Sequence, residues 1–481
     1  MKKILAIILT VCLMLTVMPF GIFSLTASAE TATSGKTGDC TWSLDGNVLT
    51  ITGNGNMADY VSSSAPWGTS VKEVIIENGV TNIGDYAFYE CTRLKNITIS
   101  NSVTRIGKLT FWECESLTSI TIPNTVSVIG HDAFYNCVNL SSVYITDIAA
   151  WCNIEFQSYK GLYNGTPLSY AENLYLNNEL LTILEIPDGV TSIGNAAFKG
   201  YDTLTRVIIP NSVKLIGDYA FASCDGLTSI NIPDSVKLIG DYAFSSCDGL
   251  TSINIPDSVT QIGLSAFEYC SSLKNINIPD SVVNAIVFRG CKSLETVNFG
   301  NGITNITSST FYLCYNLKEV TLGNGVTSIH EDAFSSCDTL ERITITKNLR
   351  TLSTKTFLDC ESLEEIIFIG TRKEWENMEY SEDLQFAEVK IICVCMGEHT
   401  YTDENDSSCN ECDFIKFTLG DIDSVKGVTD ADAEWLLMYT FFPDDYPVNQ
   451  DCDFNGDGKV NDADAEHLLM YTFFPEDYPL H

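Results

Sequence analysis

Apolar residues recur along positions 71–392 with a period far longer than that of a helix or a strand. The stretch Asp248-Gly249-Leu250-Thr251-Ser252-Ile253-Asn254-Ile255-Pro256-Asp257-Ser258-Val259-Thr260-Gln261-Ile262-Gly263-Leu264-Ser265-Ala266-Phe267-Glu268-Tyr269-Cys270 holds the whole plan. Leu-x-x-Ile-x-Ile alternates with period two, which predicts a short strand with one apolar face. Pro-Asp-Ser or Gly-Asn-Gly then turns the chain. Val-x-x-Ile-Gly-x-x-Ala-Phe returns a second apolar stripe. Phenylalanine marks each copy at 88, 111, 134, 198, 221, 244, 267, 288, 311, 334 and 357, mostly 23 residues apart. One such unit cannot bury its own stripes, but a stack of them can. Adjacent strands about 4.8 Å apart give eleven units a rod or shallow arc roughly 50 Å long.

Cysteine follows the phenylalanine by three residues at 91, 114, 137, 224, 247, 270, 291, 314, 337 and 360, and Tyr201 replaces it once. Identical positions in stacked coils read most simply as buried small hydrophobes, a role that free cysteine fills well. Disulfides between neighbouring coils are the alternative, since the spacing is within bonding distance. On these residues the array resembles the BspA-like leucine-rich repeats of bacterial surface proteins. Unlike other leucine-rich repeats, it lacks an asparagine ladder and puts cysteine before the strand. Residues 30–70 read as an N-terminal cap, with a hairpin of Cys40–Leu44 and Val48–Thr52 around Asp45-Gly46-Asn47. Between Cys137 and Tyr201 the repeat lapses for 64 residues. That is two more coils plus 18 residues, or an insertion; it is read as one irregular inserted lobe near 141–182 with its own strand, Glu172–Leu176. Trp151, Tyr159, Tyr163 and Tyr170 make it the most aromatic surface candidate, with burial of half or more of them in the core as the alternative.

After the array come Cys395, His399, Cys409 and Cys412, within a segment 393–416. Cys-x3-His followed by Cys-x2-Cys suits tetrahedral zinc, with one or two disulfides as the alternative. The tail then writes one acidic segment twice, 32 residues apart. The second copy places Asp453, Asn455, Asp457 and Asp464 at loop positions 1, 3, 5 and 12, the turn glycine Gly458 at position 6, and Val460 at position 8. Alternating oxygen ligands closed by a carboxylate are the layout of a calcium loop. In the first copy Asp421, Asp423 and Asp432 hold positions 1, 3 and 12, while Val425 and Lys426 occupy 5 and 6. A pair of solvated turns is the plain rival reading. Each loop runs into an apolar stretch. Residues 417–481 resemble a type I dockerin, the module that plugs secreted proteins into cohesin domains of a cellulosome scaffold. The resemblance implies that Asp430, Ala431, Leu437 and Met438, with Asp462, Ala463, Leu469 and Met470, contact the cohesin. Leu437 and Leu469 could equally pack between the two helices.

Lys2 and Lys3, the apolar run Ile4–Val17 and Ala27-Ser28-Ala29 form a secretory signal peptide, placed at 1–29. The chain has 481 residues, 27 basic and 63 acidic, hence a formal charge of −36. That argues against nucleic acid or an anionic membrane as partner, since both need a basic footprint. Five histidines are scattered, at 131, 330, 399, 467 and 481, and no Ser-His-Asp, HExxH or phosphate-loop pattern emerges.

The resulting expectation is an α+β chain: a solenoid of stacked short parallel strands, plus a small all-α calcium-binding dockerin. The protein is expected to be secreted and non-catalytic. Its array would bind a protein or polysaccharide, and its tail a cohesin, with one or two Ca2+ and a possible Zn2+. The binding face is expected at the outward strand row Thr98, Thr121, Tyr144, Ile208, Asn231, Asn254, Asn277, Asn298, Thr321, Thr344 and Ile367. The alternatives are a carbohydrate-active enzyme, with its site in 138–190, and a structural spacer.

Overall fold

The computed structural model describes residues 33–380 and 389–394. Each repeat makes one coil with three sides. The Leu-x-x-Ile-x-Ile segment forms the first side, and successive copies pair in parallel and in register. Arg206, Ser229 and Ser252 align across three coils, as do Ile208, Asn231 and Asn254. Val207, Ile230 and Ile253 between them point inward and are buried. Ile-Gly closes a two-residue strand on the second side, where Ile193, Ile216, Ile239 and Ile262 pair in turn.

The Ala-Phe segment is the third side. It is not a strand, yet it too is hydrogen-bonded from coil to coil. Tyr242 and Ser246 take left-handed backbone, with φ of 55° and 58°. Such angles are uncommon for residues with a Cβ. They turn alternate amides the same way, so Tyr242, Phe244 and Ser246 donate to Leu264, Ala266 and Glu268 of the next coil at 2.9, 2.9 and 2.7 Å. The phenylalanines stack beneath: Phe221, Phe244 and Phe267 lie 5.7 and 5.8 Å apart, within 4° of parallel. The glycine before this side is set by close approach of the neighbouring coil. A Cβ on Gly263 would meet the Asp241 nitrogen at 2.2 Å.

The cysteine ladder is a hydrogen-bond ladder. Cys270 Sγ donates to the Phe244 carbonyl of the preceding coil at 3.1 Å, and Cys224, Cys247, Cys291 and Cys314 repeat the contact at 3.0–3.2 Å. The Phe244 carbonyl also accepts the Cys247 amide at 3.2 Å, so both of its lone pairs are used. The described cysteines are free thiols, as the hydrophobe reading expects. Burial pushes Cys137 and Cys314 up to about 12 and Cys247 and Cys270 well above their ordinary value, a shift increased by the adjacent thiol in the latter two. All therefore stay protonated, as donation requires.

An Asx ladder exists after all, at the Ile-Gly-Asp turn. Asn195 accepts the amide of Asp218, Asp218 that of Asp241, and Asp241 that of Leu264, at 2.9, 2.9 and 2.7 Å. Aspartate does here what asparagine does elsewhere, because only the acceptor oxygen is needed.

Three departures break the period. The hairpin cap is as expected, Cys40–Asp45 against Val48–Gly53, and Val48–Gly53 then leads the parallel stack through Glu73–Ile76. Second, the coil before Phe288 lacks the Ile-Gly strand. Asn284 stands in for it: its side-chain oxygen accepts from Ile262 N at 3.0 Å and its NH2 donates to Ile262 O. Third, the irregular segment is part of the stack, not a lobe upon it. Ser142–Ile145 leads into helix α1 (Ile148–Cys152), capped by Asp147, then Glu155–Phe156, which pairs with Val128–Ile129 on the second side. Asn173–Leu176 returns to pair with Ser142–Ile145, confirming a strand there. Trp151 and Tyr163 lie in the core, 2 % and 8 % exposed. They fill the interior where a regular coil is missing, so two of the four aromatics of this segment are core, as the alternative reading has it.

The same unit recurs at the far end. Glu365–Ile369 leads into α2 (Arg372–Glu376), capped by Thr371, then Glu379–Tyr380 on the second side, and Lys390–Val394 pairs back with Glu365–Ile369. Asp147, Trp151, Asn153, Glu155 and Phe156 correspond to Thr371, Trp375, Asn377, Glu379 and Tyr380. Asn153 and Asn377 each cap their own helix by donating to the carbonyls of Ala149 and Lys373. Among the described residues these two helices have five residues each. The array is therefore mostly β, and an α+β label overstates its helix.

Candidate binding surface

Three sides of packed core leave function to the outer surfaces. The outward strand row divides into three zones. Asn231, Asn254 and Asn277 are exposed, Asn298 half-buried. Asn298 Nδ2 donates to Asn277 Oδ1 at 2.9 Å, and beside them Thr296 Oγ1 donates to Asn275 Oδ1 at 2.8 Å. With Ser229 and Ser252 these form two uncharged columns of amides and hydroxyls over four consecutive strands. Toward the N-terminus Thr98 and Thr121 are exposed, and Tyr144 stacks on Tyr175 at 4.8 Å and 13°. Leu180, Ile183 and Ile208 follow, each at least two-fifths exposed. Toward the C-terminus the row closes: Thr321 and Thr344 are 8 % and 3 % exposed. Those two do not belong to an open face, contrary to expectation. Ile367 is half-buried.

A second surface was not expected. Tyr89, Trp112 and Tyr135 follow the core phenylalanine in three consecutive coils and stack on one another on the third side, at 6.0 and 4.2 Å, with Tyr170 meeting Tyr135 edge-on at 6.5 Å. The signal was in the sequence, as an aromatic residue one place after Phe88, Phe111 and Phe134. It was masked because that position carries Ala222, Ser245 or Glu268 elsewhere. Stacked rings present edges to solvent, so this ridge offers no open ring face. The exposed aromatic in the irregular segment is Tyr159, 51 % accessible.

Catalytic chemistry finds no centre among the described residues. His131 Nδ1 lies 3.1 Å from Asp132, its chain neighbour, and His330 Nε2 lies 3.4 Å from Ser328. Residues 138–190, the region named for a possible active site, largely build core and second side. Just beyond them, Lys199 Nζ donates to the Tyr163 carbonyl at 2.7 Å over the Tyr219 ring, and burial lowers its pKa. It ties the irregular segment to the next coil. No group of three or more His, Cys, Asp or Glu side chains converges as a metal site among the described residues. The loops 421–432 and 453–464 expected to bind calcium, the pairs Leu437-Met438 and Leu469-Met470, and Cys395, His399, Cys409 and Cys412 lie outside those residues. No helix among them is long and apolar enough to cross a membrane.

A solenoid with in-register parallel strands, a Phe-turn side and a cysteine ladder defines a leucine-rich-repeat protein. The model of the BspA type leucine rich repeat region (6 copies) matches residues 59–161, 170–286 and 281–387, and the chain belongs to that family. No curated protein matches it. Among solved structures it is similar to a leucine rich cell surface protein of Faecalibacterium prausnitzii A2-165, at 27% identity over 73% of this chain and 99% of that one, TM-score 0.42. Leucine-rich repeat proteins of Bacteroides ovatus (24%, covering 74% and 98%, TM-score 0.43) and Eubacterium ventriosum (22%, covering 79% and 99%, TM-score 0.43) are similar as well.

Proposed function

We propose that this chain is a secreted, non-catalytic binding protein whose array holds a polysaccharide and whose tail docks calcium-dependently onto a cohesin-bearing scaffold. The observation that carries the ligand is the pair of uncharged columns Ser229/Asn231, Ser252/Asn254, Asn275/Asn277 and Thr296/Asn298 in a chain of charge −36. Amides and hydroxyls repeating at strand spacing match the hydroxyls of a neutral, extended polymer, whereas a charged partner would meet no complementary group there. Replacing Asn231, Asn254 and Asn277 together by alanine should reduce retention in polysaccharide affinity gels at least tenfold without moving the melting temperature. Unchanged retention removes the face from the proposal.

The docking half rests on the duplicated loops. Asp464→Ala removes the closing carboxylate of the better loop and should weaken cohesin binding more than Asp432→Ala, since the first loop already lacks a position-5 ligand. Altering the Leu-Met pair in one copy should cost little, and altering both should abolish binding. Binding that survives chelation defeats the dockerin reading. Cys395, His399, Cys409 and Cys412 would hold one zinc ion between array and tail. Metal analysis of the reduced secreted protein should find about one equivalent, and disulfides at these positions would exclude it.

A further inference from the structure

The outer face changes character over the last coils, and the change asks for an occupant. In the middle of the array the outward positions are asparagine and exposed. On Arg342–Thr346 they are Thr344 and Thr346, only 3 % and 6 % exposed. Neither hydroxyl has a hydrogen-bond partner among the described residues. On the next strand they are Ile367 and Ile369, the latter 8 % exposed, and on the last Ile392 and Val394. Four aliphatic side chains thus share a face that earlier coils give to asparagine and serine. Two buried, unpaired hydroxyls border them, and buried polar groups without partners are rare.

We propose that this patch is a docking site for the chain's own segment 395–416, the stretch that holds Cys395, His399, Cys409 and Cys412. The chain leaves the array at Val394, which is in register with Ile369 inside the patch. Of the 481 − 394 = 87 residues beyond it, only the first few are obliged to lie beside that face. Their backbone amides and carbonyls supply what Thr344 and Thr346 lack, and Met396, Tyr401, Phe414 and Ile415 supply apolar cover. The docked segment would fix the direction in which the tail leaves the array and would end the open outer face near Asn298. This inference does not depend on the polysaccharide or cohesin readings.

A photo-crosslinking amino acid placed at Ile367 in the full chain, and separately at Thr321, tests it. Peptide mapping after illumination should find both joined to residues 395–416, while the same group at Asn254 should remain uncoupled. Crosslinks to 381–388, to 417–481 or to a second copy, or none from either position, would overturn the proposal. If the group at Ile367 disturbs the fold, seen as a lowered melting temperature, the Thr321 position decides the matter.

Discussion

Asn284 shows how far one side chain can replace an element. Its amide faces both backbone groups of Ile262, as a peptide unit of the missing strand would. Asn284→Leu keeps the volume and removes both bonds, leaving a backbone N–H and C=O unpaired. The expected cost is about 2–4 kcal/mol in chemical denaturation, and Asn284→Asp, which retains the acceptor alone, should fall between. The thiols supply a pH prediction. Cys137 and Cys314 are raised from 9.0 to about 12 by burial. Their contribution is fully present below the unfolded value and is lost as pH rises through the folded one, because only the unfolded chain ionises in between. Stability should therefore be flat up to about pH 9 and fall steeply toward 12. In native protein these thiols should resist a thiol reagent until denaturant is added. At this scale the period made the burial of cysteine legible. The carbonyl that each thiol serves was not, since nothing in one coil's residues names an acceptor 26 positions away.

The N-terminal hairpin and the irregular segment around Trp151 both behave as caps. Trp67 in the N-terminal cap donates its indole N–H to the Ala87 carbonyl at 3.0 Å, and Trp151 donates to that of Ala197 at 2.8 Å. Both acceptors precede the first core phenylalanine of a run of regular coils. The irregular segment therefore does for the second run what the hairpin cap does for the first. Tyr201 completes the junction. It holds a cysteine position, but the coil before it has no Phe carbonyl in reach, and its longer side chain instead donates to Leu181 and Leu174. Restoring the repeat residue, Tyr201→Cys, should thus destabilise the junction. Trp151→Phe should cost about 1–3 kcal/mol by leaving the Ala197 carbonyl unpaired. Both should speed amide exchange in 194–204 before other coils. From sequence the 64-residue lapse was visible and its strand was placed, yet which of its aromatics are core was not legible. The kinship with 371–380 escaped too, because a shared Trp, Asn and Glu-aromatic pair is thin without the pairing that aligns them.

Across the whole molecule, stability is a sum of coils and nearest-neighbour interfaces. Phe244→Ala should cost about 3–5 kcal/mol, and exchange should quicken first in the coils of Phe221 and Phe267. Even acceleration along the array would contradict nearest-neighbour coupling. The stacked architecture was legible because period-23 repetition leaves few ways to bury two stripes per unit. Which outward positions stay open was not, since the buried Thr321 and Thr344 are the same residue type as the exposed Thr98 and Thr121.

The direction of the inter-coil bonds has a mechanical consequence. On all three sides they run along the stacking axis, so a pull between a ligand held on the array and an anchor beyond its end would load them in line, one interface at a time. Coils should then peel away singly, each releasing roughly 23 residues, or about 80 Å of extended chain. The tyrosine and tryptophan contacts at the junction would act as a stop between two strippable halves. Such a protein would lengthen in small steps under flow and restack when the strain is removed.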